Sequence, residues 1–261
     1  MHFIDVGYGD AIVVHMPGEA TILVDGGYGA HETDQGRRTV LPYLQELGVT
    51  QLTAVVATHS HPDHVGGVVD VVRALPVGQV IRPAWGRTNV YTLTLDEVAA
   101  VRGVPVERGG RGIEWRWGSM RLRALHPIPG GADVADESFD LNANSLALVV
   151  EFGAARVLLL ADVTTPVLRE LYTHGYLPRA TLIKIPHSGQ RDAYDEELVR
   201  ALAPQHAVLM VGPNPYSAPA PEVVSGYEAM CMLWRTDRDG TVVAELTKDG
   251  QIRVGAKGKT H

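Results

Sequence analysis

Residues 58–67 run Thr58-His59-Ser60-His61-Pro62-Asp63-His64-Val65-Gly66-Gly67, placing three imidazoles and a carboxylate within six positions. Imidazole nitrogen and carboxylate oxygen are the donors that suit zinc and its first-row neighbours. A solvated polar loop would explain scattered histidines. It does not explain three of the chain's 11 gathered beside an acid, directly after an apolar run. That run, Leu52 to Ala57, reads as a buried strand delivering Thr58 and His59 at its carboxyl end, and the apolar spacing from Val65 to Leu75 predicts a helix. The four candidates thus fall in a tight strand-to-helix turn. If His59 and His61 face one ion and Asp63 and His64 another, two ions about 4 Å apart fit, given ligands from elsewhere.

Two positions qualify. Asp162 follows the strand-like run Arg156 to Ala161, and His187 follows Leu182 to Ile185. Alone, each reads as a cap or surface residue; beside the histidine cluster, each reads as a ligand.

The rest of the chain bounds the function. Its 261 residues hold 45% hydrophobic and 20% charged side chains, ordinary for a globular protein. The net charge of −7 gives no cationic footprint for a nucleic-acid partner. The arginines from Arg108 to Arg123 read first as the solvent face of a hairpin. One cysteine, Cys231, excludes an internal disulfide and a tetracysteine metal site. No run approaches the roughly 20 apolar residues that span a bilayer, and no leader pattern opens the sequence, so a cytoplasmic protein, or a piece trimmed from a longer secreted or membrane protein, is expected. Oligomeric state is not legible.

Phe3 to Val6, Ala11 to His15 and Thr21 to Val24 read as short strands, and Arg37 to Leu47 as a helix stopped by Gly48. Strands and helices then alternate: a helix including Val98 to Arg102, strands Leu146 to Phe152 and Arg156 to Ala161, a helix near Pro166 to His174, a strand Thr181 to Ile185, a helix Glu196 to Leu202, and a strand Ala207 to Val211. Val242 to Leu246 and Ile252 to Val254 close the chain as a hairpin. Both halves set strand pairs first and strand-helix alternation second, which predicts two sheets packed face to face with helices outside, in one domain over 1–261. Pro127 to Asp140 reads as a long loop between the halves. Trp85, Tyr91, Trp115 and Trp117 read as packing, with a substrate groove as the alternative.

The histidine turn, with Leu23-Val24-Asp25-Gly26-Gly27 before it and Asp162 and His187 after it, resembles the metallo-β-lactamase superfamily along nearly the whole chain. Within that superfamily it is similar to the soluble hydrolase domain of the ComEC/Rec2 competence proteins. The segments Phe3 to Ala11, Asn142-Ala143-Asn144-Ser145-Leu146, Leu160-Ala161-Asp162, Lys184-Ile185-Pro186-His187 and Arg235 to Gly240 carry the likeness. The resemblance implies an α/β fold, a four-layer αβ/βα sandwich of two mixed sheets with metals in a cleft at the sheet edges. It also implies that His59 and His61 bind one metal, that Asp63, His64 and His187 serve the second, that Asp162 bridges both, and that Asp25 braces the histidine loop.

Several positions depart from that pattern. Asn144-Ser145 stands where a third, histidine ligand of the first site is common, which leaves one or two divalent ions, zinc first and manganese next, as the expected cofactor. Gln190, Ala218 and Tyr8 replace residues usual in the competence proteins. A metal-bound hydroxide, oriented by Asp63, is the expected nucleophile. The leading expectation is hydrolysis of a phosphodiester or related phosphate ester. Hydrolysis of a lactone, thioester or β-lactam keeps the same machinery, and a non-catalytic binding module with a degraded metal site is the rival of another class.

Overall fold

The computed structural model describes residues 1–29, 34–131, 133–134 and 136–257. Eight strands form the first sheet: β1 (His2–Phe3), β2 (Ile12–Met16), β3 (Ala20–Val24), β4 (Ala54–Val56), β5 (Val80–Pro83), β6 (Val106–Gly109), β14 (Thr241–Leu246) and β15 (Ile252–Lys257), in the order β15-β14-β1-β2-β3-β4-β5-β6. The second sheet runs β13-β12-β11-β10-β9-β8-β7, from β7 (Glu114–Trp117), β8 (Met120–His126), β9 (Ala147–Phe152), β10 (Ala155–Leu159), β11 (Leu182–Lys184), β12 (His206–Leu209) and β13 (Met232–Arg235). Each sheet is antiparallel at one side and parallel at the other, with β3 to β6 parallel in the first and β10 to β13 in the second. The two mixed sheets foreseen from the repeated pattern are present.

Side-chain alternation decides the layers. Along β3, Ile22 and Val24 join the core between the sheets, opposite Leu148, Val157 and Leu182, whereas Leu23 packs outward under helices. Strands buried on both faces read as continuous apolar runs for this reason. Helices α1 (Leu41–Glu46), α2 (Pro62–Ala74) and α3 (Val90–Val101) cover the outer face of the first sheet. Helices α4 (Thr165–Thr173), α5 (Glu196–Leu202) and α6 (Pro221–Glu228) cover the second. A short turn of helix, α7 (Thr236–Asp239), links β13 to β14. None of the described helices is long and apolar enough to cross a membrane.

Three expectations need correction. Helix α2 starts at Pro62 rather than Val65, so Asp63 and His64 stand on its first turn. Pro62 explains the shift, since its fixed φ and missing N–H suit the first helical position, and an acid in the first turn complements the helix dipole. The stretch from Pro127 to Asp140 does not separate the halves: β8 and β9 flank it and pair with each other, and the chain passes between sheets at residues 110–113, between β6 and β7. Only His2 and Phe3 of the first predicted strand are in the ladder, because the carboxylate of Asp5 accepts the Gly7 N–H and turns the chain.

Candidate metal centre

The histidine turn sits at the carboxyl end of β4, with Asp25 beside it at the end of β3, and Asp162 and His187 just beyond β10 and β11. Ligands in open parallel sheets gather at these carboxyl ends. Four non-glycine residues here hold left-handed backbone: Asp25 (φ 57°), Ala161 (φ 47°), His187 (φ 50°) and Ser188 (φ 47°). Such conformations cost about 1–3 kcal/mol each and persist where surrounding contacts impose them. Helix α2 is pressed against the β3 end through glycine pairs: a Cβ on Gly66 would lie 2.2 Å from Gly29 N, and one on Gly67 2.0 Å from Gly26 O.

Asp25 organises the turn. It is buried, its Oδ1 accepts from Thr58 N at 2.8 Å, and its Oδ2 accepts from Thr58 Oγ1 at 2.7 Å and from His64 Nδ1 at 2.9 Å. The Thr58 hydroxyl gives its proton to Asp25, so at 3.1 Å it accepts from His59 Nδ1. That tautomer makes His59 Nε2 the acceptor nitrogen, which takes a hydrogen bond from His61 Nδ1 at 2.9 Å and lies 3.9 Å from Asp162 Oδ2. His64 Nε2 points to the same place, 3.3 Å from Asp162 Oδ2 and 3.7 Å from Asp63 Oδ2. His59, His64 and Asp162 thus converge, with their donor atoms within 4.8 Å of one another. Asp63 keeps a solvent edge, its side chain 13% exposed.

His187 stands apart from that trio. Its Nδ1 donates to Asp192 Oδ1 at 2.9 Å, and its Nε2 accepts from Asn142 Nδ2 at 3.1 Å and Gln190 Nε2 at 3.0 Å. Asn144 Nδ2 donates to Asp140 O at 2.8 Å, and the residue shares the lining of a small cleft with His59, Ser60, Trp85 and Arg87. Ser145 is fully buried; its hydroxyl donates to Asn142 O at 2.9 Å and accepts from Asp162 N at 3.3 Å, so it braces Asp162. Of Trp85, Tyr91, Trp115 and Trp117, Trp85 alone lines the cleft, edge-on to Phe139, which lines it too, with ring centroids 5.3 Å apart. Trp115 and Trp117 pack in the core between the sheets and Tyr91 packs under the outer helices.

Two charged residues escaped the sequence reading. Lys184 is fully buried on β11, where its Nζ donates to Asp10 Oδ2 and, at 3.1 Å, to Ala161 O, and stands 3.8 Å from Asp162 Oδ1. Asp10 is buried as well, and with Asp25 and His64 forms a second close group. The available signal was a lysine inside the apolar run Leu182 to Ile185, since a buried ammonium requires a buried counter-charge.

Electrostatics follow from this packing. Burial alone would lower His64, but the Asp162 and Asp63 charges and the hydrogen bonds to Asp162 and Asp25 raise it well above 6.5. Burial would raise Asp162, yet His64, Lys184 and His59 hold it well below 3.8. Burial pushes His59 well below 6.5 and lowers His61 too, His64 adding to both. Burial disfavours the Lys184 ammonium, and the Asp10 and Asp162 charges outweigh it.

A divalent cation suits these residues. The donors are imidazole nitrogen and carboxylate oxygen, buried and within 4.8 Å of one another. Four of the five arginines from Arg108 to Arg123 are paired with carboxylates: Arg108 with Asp133, Arg111 with Glu170, Arg116 with Glu114, and Arg121 with Glu114 and Glu151.

Comparison with known proteins agrees with this architecture. The family model described as the metallo-beta-lactamase superfamily matches residues 4–134. ComE operon protein 3 of Bacillus subtilis (strain 168) is 25% identical over 253 residues, 92% of this chain and 32% of the relative, so the chain spans about a third of that protein's length. Igni18, a metallo hydrolase from Ignicoccus hospitalis, superposes with a TM-score of 0.56 at 14% identity, covering 97% of each chain. A diphosphatase from the PhnP family gives 0.52 at 14% identity, covering 95% of this chain and 85% of its own. The two structural likenesses show the fold.

Proposed function

Because the chain belongs to the metallo-beta-lactamase superfamily, whose fold implies divalent metal ions, we propose that it is a metal-dependent hydrolase of a phosphodiester or related phosphate ester. The observation that carries the proposal is the convergence of His59 Nε2, His64 Nε2 and Asp162 Oδ2, with Asp63 alongside. His59, His61, Asp63, His64, Asp162 and His187 are the proposed ligands, for one or two ions, with zinc first and manganese next. When bound, such an ion acts as a Lewis acid and brings the pKa of water from about 15.7 toward 7.

The protein's own groups supply orientation and proton handling. Asp25 holds the His64 ring through Nδ1, and Thr58 holds His59 through its Nδ1, so both rings present Nε2 without searching rotamers. Asp63 has a solvent edge and an oxygen beside His64, the position of a group that orients an attacking water and accepts its proton. The neighbouring cleft, with Trp85, Arg87 and Asn144, would receive the substrate's outer portion. The phosphate-ester choice draws support from the PhnP-family diphosphatase, which shows the same fold in phosphate chemistry. We read residues 1–261 as one domain, since both sheets contribute to the one cluster.

The deciding experiment compares bis-p-nitrophenyl phosphate with lactone and thioester substrates on protein loaded with zinc or manganese. Phosphodiester turnover that Asp63→Asn abolishes supports the proposal. Turnover of only a lactone or thioester moves the assignment to carbonyl substrates, and no turnover with any metal overturns the phosphodiesterase proposal.

A further inference from the structure

The turn that presents Asp162 is held from below. Ala161, the residue before it, has φ 47°, a conformation its side chain disfavours. The Ala161 carbonyl accepts two hydrogen bonds, from Lys184 Nζ and from His187 N, both at 3.1 Å. Lys184 is itself fixed by its bond to Asp10, a residue of the first sheet's side of the molecule next to the β1–β2 turn, and Asp10 N reaches Asp63 O at 3.3 Å. A single ammonium therefore ties the left-handed residue before Asp162 to the segment that carries Asp63.

We infer that Lys184 is a positioning residue: its ammonium, anchored on Asp10, clamps the Ala161 carbonyl so that Asp162 keeps its Oδ2 turned to His59 and His64. The two oxygens of Asp162 are divided accordingly, Oδ2 toward the imidazoles and Oδ1 toward the ammonium at 3.8 Å.

The sign of one effect separates this role from plain electrostatics. A fixed positive charge this close to a ligand repels a divalent cation, so removing a lysine that acted only through its charge would tighten metal binding. Removing a lysine that holds the ligand in place weakens it. Lysine serving only the stability of the fold predicts a third result, a lower denaturation midpoint with metal affinity of the folded protein unchanged.

The test uses the full chain and zinc affinity measured by competition with a chromophoric chelator, with folding checked by circular dichroism. Lys184→Met is expected to weaken zinc binding by about tenfold or more, the range seen when groups that orient ligands are removed. Ala161→Gly relieves the left-handed strain, so in that background the same substitution should cost less affinity than in the native chain. If Lys184→Met does not fold, the charge-neutral pair Asp10→Asn with Lys184→Met leaves no buried lone charge and carries the same expectation, because Ala161 O still loses its donor. Equal or tighter zinc binding in the folded variant overturns the inference, as does a loss of affinity that Ala161→Gly leaves undiminished. Lys184 can act this way only if Asp162 faces a metal, as proposed above. Native protein that binds neither zinc nor manganese overturns both proposals, whereas native protein that binds zinc beside a variant that binds it equally overturns this one alone.

Discussion

His64 Nδ1 and Asp25 Oδ2 lie 2.9 Å apart, and the same carboxylate takes both the backbone N–H and the hydroxyl of Thr58. One buried acid therefore sets the orientation of His64 directly and that of His59 through Thr58.

Replacing Asp25 with asparagine keeps the shape and leaves one acceptor oxygen for three donors. Stability should fall by about 2–3 kcal/mol, the scale of hydrogen bonds to a charged group, and zinc affinity by about 10–100-fold. Urea denaturation of the metal-free protein and chelator competition measure the two separately. Unchanged affinity would show that the ring of His64 orients without Asp25.

Asp63 sits on the first turn of α2 with part of its side chain in solvent. Asp63→Asn should cost kcat at least about a hundredfold, as expected for a lost proton acceptor, while the thermal midpoint of the metal-free protein stays near that of the native one. A variant with native kcat assigns the proton to another group.

The histidines place a stability maximum of the metal-free protein near pH 6.5, and Asp10, raised to about 6 by burial, flattens the acid side because its contribution fades as pH rises through that value. His64 is raised well above 6.5, so its contribution is complete below that pH and is lost as pH climbs through the raised value. His59 and His61 are lowered, so below 6.5 the unfolded chain takes up protons that the folded one refuses, and stability falls. His2, His15, His126 and His206 are lowered mainly by burial and steepen the acid side. The Asp162 contribution is in place above 3.8 and fades only as pH falls through its lowered value. Urea midpoints between about pH 5 and 9 test the peak; stability that rises steadily to pH 9 contradicts the charged state assigned to His64.

Helix propensity alone credits Gly66→Ala with a gain of about 1 kcal/mol. The backbone of Gly29 lies where the new methyl would go, so the structure reverses the sign, with an expected loss of about 2 kcal/mol or more. Gly86→Ala meets nothing within 4 Å and serves as the control, expected within about 0.5 kcal/mol of native. Denaturant midpoints of the two variants, measured together, settle the comparison.

What was legible in the sequence follows from how local each signal is. His59 to His64 is contiguous, so its chemistry shows without any knowledge of the fold. Asp162 and His187 are visible because each ends a buried strand. Asp10 and Lys184 are distant in the chain, and their pairing exists only once β11 lies across from the turn after β1. The strand β6 escaped because Val106, Glu107 and Arg108 are exposed at the sheet edge, where no apolar alternation is required. Helix α3 was caught only in its last turns: Asn89 caps it, its side chain accepting from Tyr91 N and Thr92 N, while its first turns bear exposed Val90 and Leu93. Asn144-Ser145 stands out in the sequence only as the place of a missing histidine, and the support that the Ser145 hydroxyl gives the backbone N–H of Asp162 depends on the folded contact.

The division of the cluster between the two sheets also orders events during synthesis. His59, His61, Asp63 and His64 leave the ribosome long before Asp162, Lys184 and His187, and the nascent first half already displays a strong but incomplete chelating sequence. The close grouping of His59, His64 and Asp162 can form only after the second sheet has been made and stacked on the first. A metal site that needs all three residues would therefore be filled only late in maturation. A defect in the interior between the sheets, at Leu122 or Val150 for instance, would then register as a full-length protein whose proposed ligands do not come together.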